Sequence, residues 1–145
     1  MPIERSPFPR VQRRLTRASR LEEEIAGHQA HILALRAQCR AADPAMIAGR
    51  SGPSDRTAFA AVRVAELEQE IAVLRDRQRR AEEETRRLLA RLPSARSRAL
   101  LEMRYLSGLP WEQISEALDI TPRAALMRHR RALEQLQRFV ENSGE

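Results

Sequence analysis

The chain contains no lysine: all 26 basic residues are arginine, against 20 acidic ones, for a net charge of +6. Exclusive use of arginine reads as a mark of GC-rich coding, so the high isoelectric point overstates any affinity for polyanions. Aromatic residues make up only 3% of the chain, so any compact core is small and leans on Leu, Ile and Ala. The single cysteine, Cys39, excludes an internal disulfide and fits a reducing compartment. No apolar run approaches membrane-spanning length, and the opening MPIERSPFPR lacks the apolar stretch of a signal peptide. The expectation is a soluble, cytoplasmic protein with no membrane partner. Ala, Leu, Arg and Glu dominate instead, which is the composition of long helices and coiled coils.

Catalytic and metal-binding patterns are also missing. There is no phosphate-binding G-x-x-x-x-G-K-[ST] loop, no G-x-S-x-G elbow and no H-E-x-x-H. The acids stand among basic neighbours on charged helices, not in an apolar setting that would tune a general acid. The expectation is a protein without catalytic residues or cofactor. His28 and His31, three apart, could share a metal with Cys39 beyond. A closed structural site needs about four ligands, however, and no fourth of that kind is present. The simpler reading makes His28 a polar interruption of a helix seam.

Along the chain, Pro2, Pro7 and Pro9 make residues 1–10 a flexible tail. Apolar residues then recur at Val11, Ala18, Leu21, Ile25, His28 (polar), Ile32, Leu35 and Cys39, a heptad seam from Ala18 onward. Pro44, Gly49, Gly52 and Pro53 put a loop over 41–56. A second seam runs through Ala60, Val64, Leu67, Ile71, Leu74, Gln78, Ala81, Thr85, Leu88 and Leu92, and Pro93 ends it. Two heptad helices and one loop predict an antiparallel hairpin over 11–92. In that hairpin Arg13, Arg14 and Arg17 face Glu82, Glu83 and Glu84, and Glu22 to Glu24 face Arg75 and Arg77. The same seams could instead join two chains. A hairpin has one apolar stripe per helix and little core, so association into a homodimer or higher homo-oligomer is expected.

Residues 93–140 hold the most informative pattern, followed by a tail over 141–145. One helical run ends at Gly108, a short helix is centred on Trp111 to Leu118, and a tight turn follows at Asp119–Ile120. A third helix opens on Thr121-Pro122, a good N-cap followed by a residue suited to the first helical position. It carries Arg123, Arg128, Arg130 and Arg131 and no acid before Glu134. A short apolar helix, a sharp turn and a basic helix make a helix-turn-helix that places its last helix in a DNA major groove. Leu101, Tyr105, Ile114, Leu118, Leu133 and Leu136 read as its core, and Trp111 as a packing residue.

The string LLEMRYLSGLPWEQISEALDIT followed by RHRRALEQL resembles region 4 of bacterial sigma-70-type factors. It resembles still more the small phage-encoded regulators of the ArpU/RinA type. Leu101, Arg104, Tyr105, Leu106, Trp111, Ile114, Ser115, Leu118, Ala132, Leu133 and Leu136 carry the likeness. Upstream, Gly52-Pro53-Ser54-Asp55 is similar to a linker of the phage members. Asp119 stands where Gly is more usual, and Ala125 where a larger aliphatic is. The resemblance implies an all-α protein that binds double-stranded DNA to regulate transcription, with contact to RNA polymerase as a further implication. A complete sigma factor is not expected at this length, since nothing here resembles the promoter-melting region.

Among candidate DNA contacts, Arg123 lies in the first turn of the third helix, where side chains reach base edges. Arg128, Arg130 and Arg131 are expected phosphate clamps. Ala124 and Met127 are placed for a thymine methyl, and Thr121 caps the helix or meets a phosphate. His129 packs on the helix or faces a phosphate. The six arginines of residues 1–20, less Glu4, give that stretch +5, readable as a phosphate-tracking arm or as a salt-bridged face. Two other functions remain open. A phage small terminase subunit also joins a helix-turn-helix to an oligomerising helix. A coiled-coil adaptor docking on RNA polymerase would use the acidic stretch 99–120, where Arg104 stands against Glu102, Glu112, Glu116 and Asp119.

Overall fold

The computed structural model describes residues 6–41 and 55–143; the loop expected over 41–56 lies almost wholly outside the described residues. Five helices follow in order: α1 (Pro9–Ala41), α2 (Asp55–Leu89), α3 (Ala95–Tyr105), α4 (Trp111–Leu118) and α5 (Pro122–Asn142), with no strand among the described residues. The all-α expectation holds. Pro9, inside the tail expected over residues 1–10, starts α1. Its ring sits at the first helical position, where no N–H is needed, and the Phe8 carbonyl accepts the Gln12 N–H at 3.1 Å.

The described chain forms two compact units. One holds residues up to Arg20 and from Gln78 on; the other holds Leu21–Arg77. The unit containing the trihelical end thus reaches back into α2 and takes in the start of α1, whereas the sequence reading divides the chain at Leu92–Pro93.

In the Leu21–Arg77 unit α1 and α2 run antiparallel. Ile25 and Ile32 are buried on α1, and Ala60, Leu67 and Leu74 on α2. Ion pairs Arg36–Glu68 (3.0 Å) and His28–Glu70 (3.3 Å) flank the seam, so His28 is spoken for by a carboxylate. Glu24 and Arg77 line one groove, consistent with the expected charge order. Leu33, Phe59, Val62 and Val73 remain exposed, Phe59 to 77%. Phe59, Val62 and Val73 share one face of α2, since three and eleven residues are close to whole helical turns.

In the other unit, Val11 and Leu15 of α1, Leu88 and Leu89 at the end of α2, and Leu92 just after it join one cluster. Leu100, Leu101 and Tyr105 of α3, Ile114 of α4, and Ala125, Ala132, Leu133, Leu136 and Val140 of α5 complete it. Leu118 and Trp111 are half-buried against it. Arg17 lies 3.8 Å from Glu84, one of the glutamates expected to face it.

Local chemistry sets the turns. Ser94 Oγ accepts the Ser97 N–H at 3.3 Å and starts α3, while the Arg98 guanidinium donates to the Leu92 carbonyl in the turn after α2. Gly108, at φ 67°, turns the chain toward α4. Asp119 is left-handed, at φ 52° and ψ 51°. Its N–H reaches the Glu116 carbonyl at 3.2 Å, and the Ile120 N–H reaches Ser115 at 3.0 Å. These are the two bonds of a Schellman turn, whose left-handed residue favours glycine. Asp119→Gly should therefore raise stability by roughly 0.5–1 kcal/mol, whereas Thr121→Ala should lower it by about 1 kcal/mol through loss of the cap. Chemical denaturation read by circular dichroism checks both, and a less stable Asp119→Gly chain would refute the strain.

Candidate nucleic-acid interface

The helix-turn-helix is built from α4, the three-residue turn Asp119–Thr121, and α5. Thr121 Oγ1 accepts the Ala124 N–H at 3.1 Å, so its hydroxyl oxygen is committed to the cap. From there α5 divides cleanly. Ala125, Ala132, Leu133 and Leu136 point into the core. Arg123, Met127, Arg130 and Arg131 are exposed together on the opposite side, while Ala124 and Arg128 are turned part-way in. Of the seven expected contacts, four therefore share the outward face, Ala124 and Arg128 flank it, and Thr121 opens it.

Charge on this face is uncompensated. Among the described residues Arg123, Arg128, Arg130 and Arg131 have no ion-pair partner, and the first acid of α5, Glu134, pairs with Arg138 at 3.7 Å. On α2, by contrast, Arg63 and Arg87 meet Glu66 and Glu83 at 3.0 and 3.3 Å. A free guanidinium keeps its forked donors available for guanine O6 and N7 or for phosphate oxygens. Leu126, half-exposed three residues after Arg123, was not legible as part of the face; its neighbour Ala125 is fully buried, so the core boundary runs between them. Glu102, Glu112, Glu116 and Asp119 are exposed on the neighbouring elements.

A polar cluster holds α3, α4 and α5 in register. His129 Nε2 lies 2.6 Å from the Tyr105 hydroxyl. The His129 ring stacks on Tyr105 (centroids 5.7 Å apart) and meets Trp111 edge-on at 4.9 Å. The Arg104 guanidinium covers the Trp111 ring at 4.7 Å and donates to the Leu109 carbonyl at 3.2 Å. Burial raises the Tyr105 phenol above its usual range, against the opposing pull of Arg104 and a hydrogen bond from Gln12. Gln12 takes the phenol oxygen, so we assign the phenol proton to His129 Nε2. Burial, reinforced by the Arg104 charge, lowers His129 to about 4. Of its two expected roles, His129 takes the packing one. The single signal for this in the sequence is the spacing of His129 from Ala125 and Leu133, four residues each way, which puts it on the buried stripe.

Residues 82–136 match the sequence model of the family Sigma-70, region 4. The match takes in the end of α2 and most of the trihelical end, and the family it points to is a DNA-binding helix-turn-helix domain. No curated protein and no solved structure matches the chain. No helix among the described residues is long and apolar enough to cross a membrane.

The neutral His129 makes stability pH-dependent. The unfolded chain takes up this proton near 6.5, whereas the folded ring resists it until about 4. Stability from this group is complete above pH 6.5 and is lost as pH falls toward 4. Allowing for partial solvent screening, the loss is on the order of 1–2 kcal/mol. Urea melts of the wild type and of His129→Gln between pH 7 and pH 4.5 read it. The variant's curve should be flatter, and parallel curves would refute the assignment.

Proposed function

We propose that the chain is a sequence-specific, double-stranded-DNA-binding regulator of transcription, phage or prophage encoded and of the ArpU/RinA type. It acts in the cytoplasm of a bacterial host. The observation that carries this reading is the outward face of α5, where Arg123, Arg130 and Arg131, flanked by Arg128 and all without a carboxylate partner, follow a capped helix-turn-helix turn. In this reading Arg123 grips a base edge, Met127 and Ala124 meet a thymine methyl, and Arg128, Arg130 and Arg131 hold phosphates. Thr121 sets where the helix begins. The exposed acids Glu102, Glu112 and Glu116 favour a second reading, in which this end docks on RNA polymerase without reading DNA.

A pool of genomic duplex fragments, bound by the full chain across a salt series, separates the two. Retention of a few fragments at physiological salt is expected, with Arg123→Ala/Arg130→Ala weakening them by roughly 10–100-fold. Binding that is uniform across sequences and unchanged in the variant would sink the base-reading role and leave the docking reading. The genome positions of retained fragments distinguish a promoter-side regulator from a terminase subunit at a packaging site.

The exposed Phe59, Val62 and Val73 support self-association, which would present paired readers to paired half-sites. Sedimentation of the full chain should give a dimer that Phe59→Glu/Val62→Glu converts to monomer. A ring of many subunits would favour the terminase reading, and a monomeric wild type would remove the paired reader.

A further inference from the structure

We propose that the start of α1 is a second DNA-backbone site, in which Arg13 and Arg20 hold phosphates beside the α5 reading face. The inference rests on the DNA-reading role of α5 and extends it to residues outside the matched 82–136 segment.

The geometry comes from one groove inside the Gln78-onward unit. Gln12, Thr16 and Ser19 of α1 form one wall, and Leu126 of α5 lies across from them, with Gly108 and Trp111 between; the groove holds about 410 Å³. On α1, Val11, Leu15 and Ala18 are buried below this wall. Arg13 and Arg20 each stand one helical step, about 100°, beyond Gln12 and Ser19, on the side away from the buried residues. They therefore form the outer lip on α1. Opposite them, Arg123 and Arg130 flank Leu126 at three before and four after, the spacing that puts side chains next to one another on a helix. The two pairs of arginines thus border the same groove.

The chemistry of the lips and walls fits a phosphate chain. Arg13 and Arg20 are exposed and have no ion pair among the described residues, unlike Arg17, which is held by Glu84. The wall between the lips is polar: Thr16 Oγ1 donates to the Gln12 carbonyl at 2.8 Å and Ser19 is exposed. No carboxylate lines the groove. At its Trp111 side, α4 begins on Pro110, which makes no side-chain cap hydrogen bond, so the first N–H groups of α4 remain available to an anion. A duplex whose major groove takes α5 would carry its flanking backbone along this line, and α1 would add affinity without sequence choice.

The test uses the full chain, Arg13→Gln/Arg20→Gln, an Arg56→Gln/Arg75→Gln control with the same loss of charge from the other unit, and Arg13→Lys/Arg20→Lys. Binding to a retained duplex and to an unrelated duplex is measured against salt. The glutamine pair should weaken both duplexes alike, by roughly tenfold at physiological salt, and flatten the log–log salt slope by about 1.8, about 0.9 per lost phosphate contact. The lysine pair should keep most of the slope, because a phosphate accepts a point charge. Unchanged helicity and melting of the glutamine pair, as expected at exposed positions, tie the effect to binding. A slope equal to the wild type's, or matched by the control pair, overturns the α1 site. If Arg123→Ala/Arg130→Ala still abolishes selective binding in that case, the α5 reader stands alone; if it does not, the DNA reading itself fails.

Discussion

The three-helix end has one buried aromatic residue and shares its apolar interior with the two long helices, and this shared core shapes the rest of the molecule. Ile114, Leu101 and Leu136 are fully buried in a cluster that Leu15 of α1, Leu89 of α2 and Leu92 just beyond it also join. Each such side chain contributes roughly 1.5–3 kcal/mol on burial, comparable with a sizeable fraction of a small domain's net stability. Helix α5 therefore packs against the ends of both long helices. The segment matching sigma-70 region 4 itself begins within α2, at residue 82.

Within that anchored unit, the arginines divide by whether a carboxylate lies within reach. The long helices tie arginine to glutamate, as in Arg17–Glu84 and Arg87–Glu83. Exposed pairs of this kind add little stability, about 0–1 kcal/mol each. Their greater effect is to leave the unpaired arginines of α5 as a distinct positive face. A carboxylate within reach decides whether an arginine is held in an ion pair or left open.

The orientation of α5 is set by the polar and aromatic cluster beneath it. Tyr105, Trp111 and His129 bring one ring each from α3, α4 and α5, and Arg104 covers the outer side. Aromatic contacts of this geometry add about 0.5–1.5 kcal/mol beyond the area they bury, and they fix angle as well as distance. A neutral His129 is part of that fit, since a second cation beside Arg104 would be poorly solvated there.

Much of this was written in local sequence. Heptad spacing placed Ile25, Leu67 and Leu88 on buried stripes, the Thr121-Pro122 pair marked the first turn of α5, and the absence of acids before Glu134 marked its basic face. These features depend on residues within a few turns of one another, so helical periodicity and capping chemistry reveal them. The start at Pro9 was misread because proline both interrupts helices and begins them, and only the open backbone before it decides which. Other features needed residues far apart in the chain to meet. The pairing of Tyr105 with His129, the reach of the α1 start into the trihelical core, and the half-exposure of Leu126 depend on how five helices share one small apolar interior. Periodicity assigns a residue to a face, but only packing decides what that face meets.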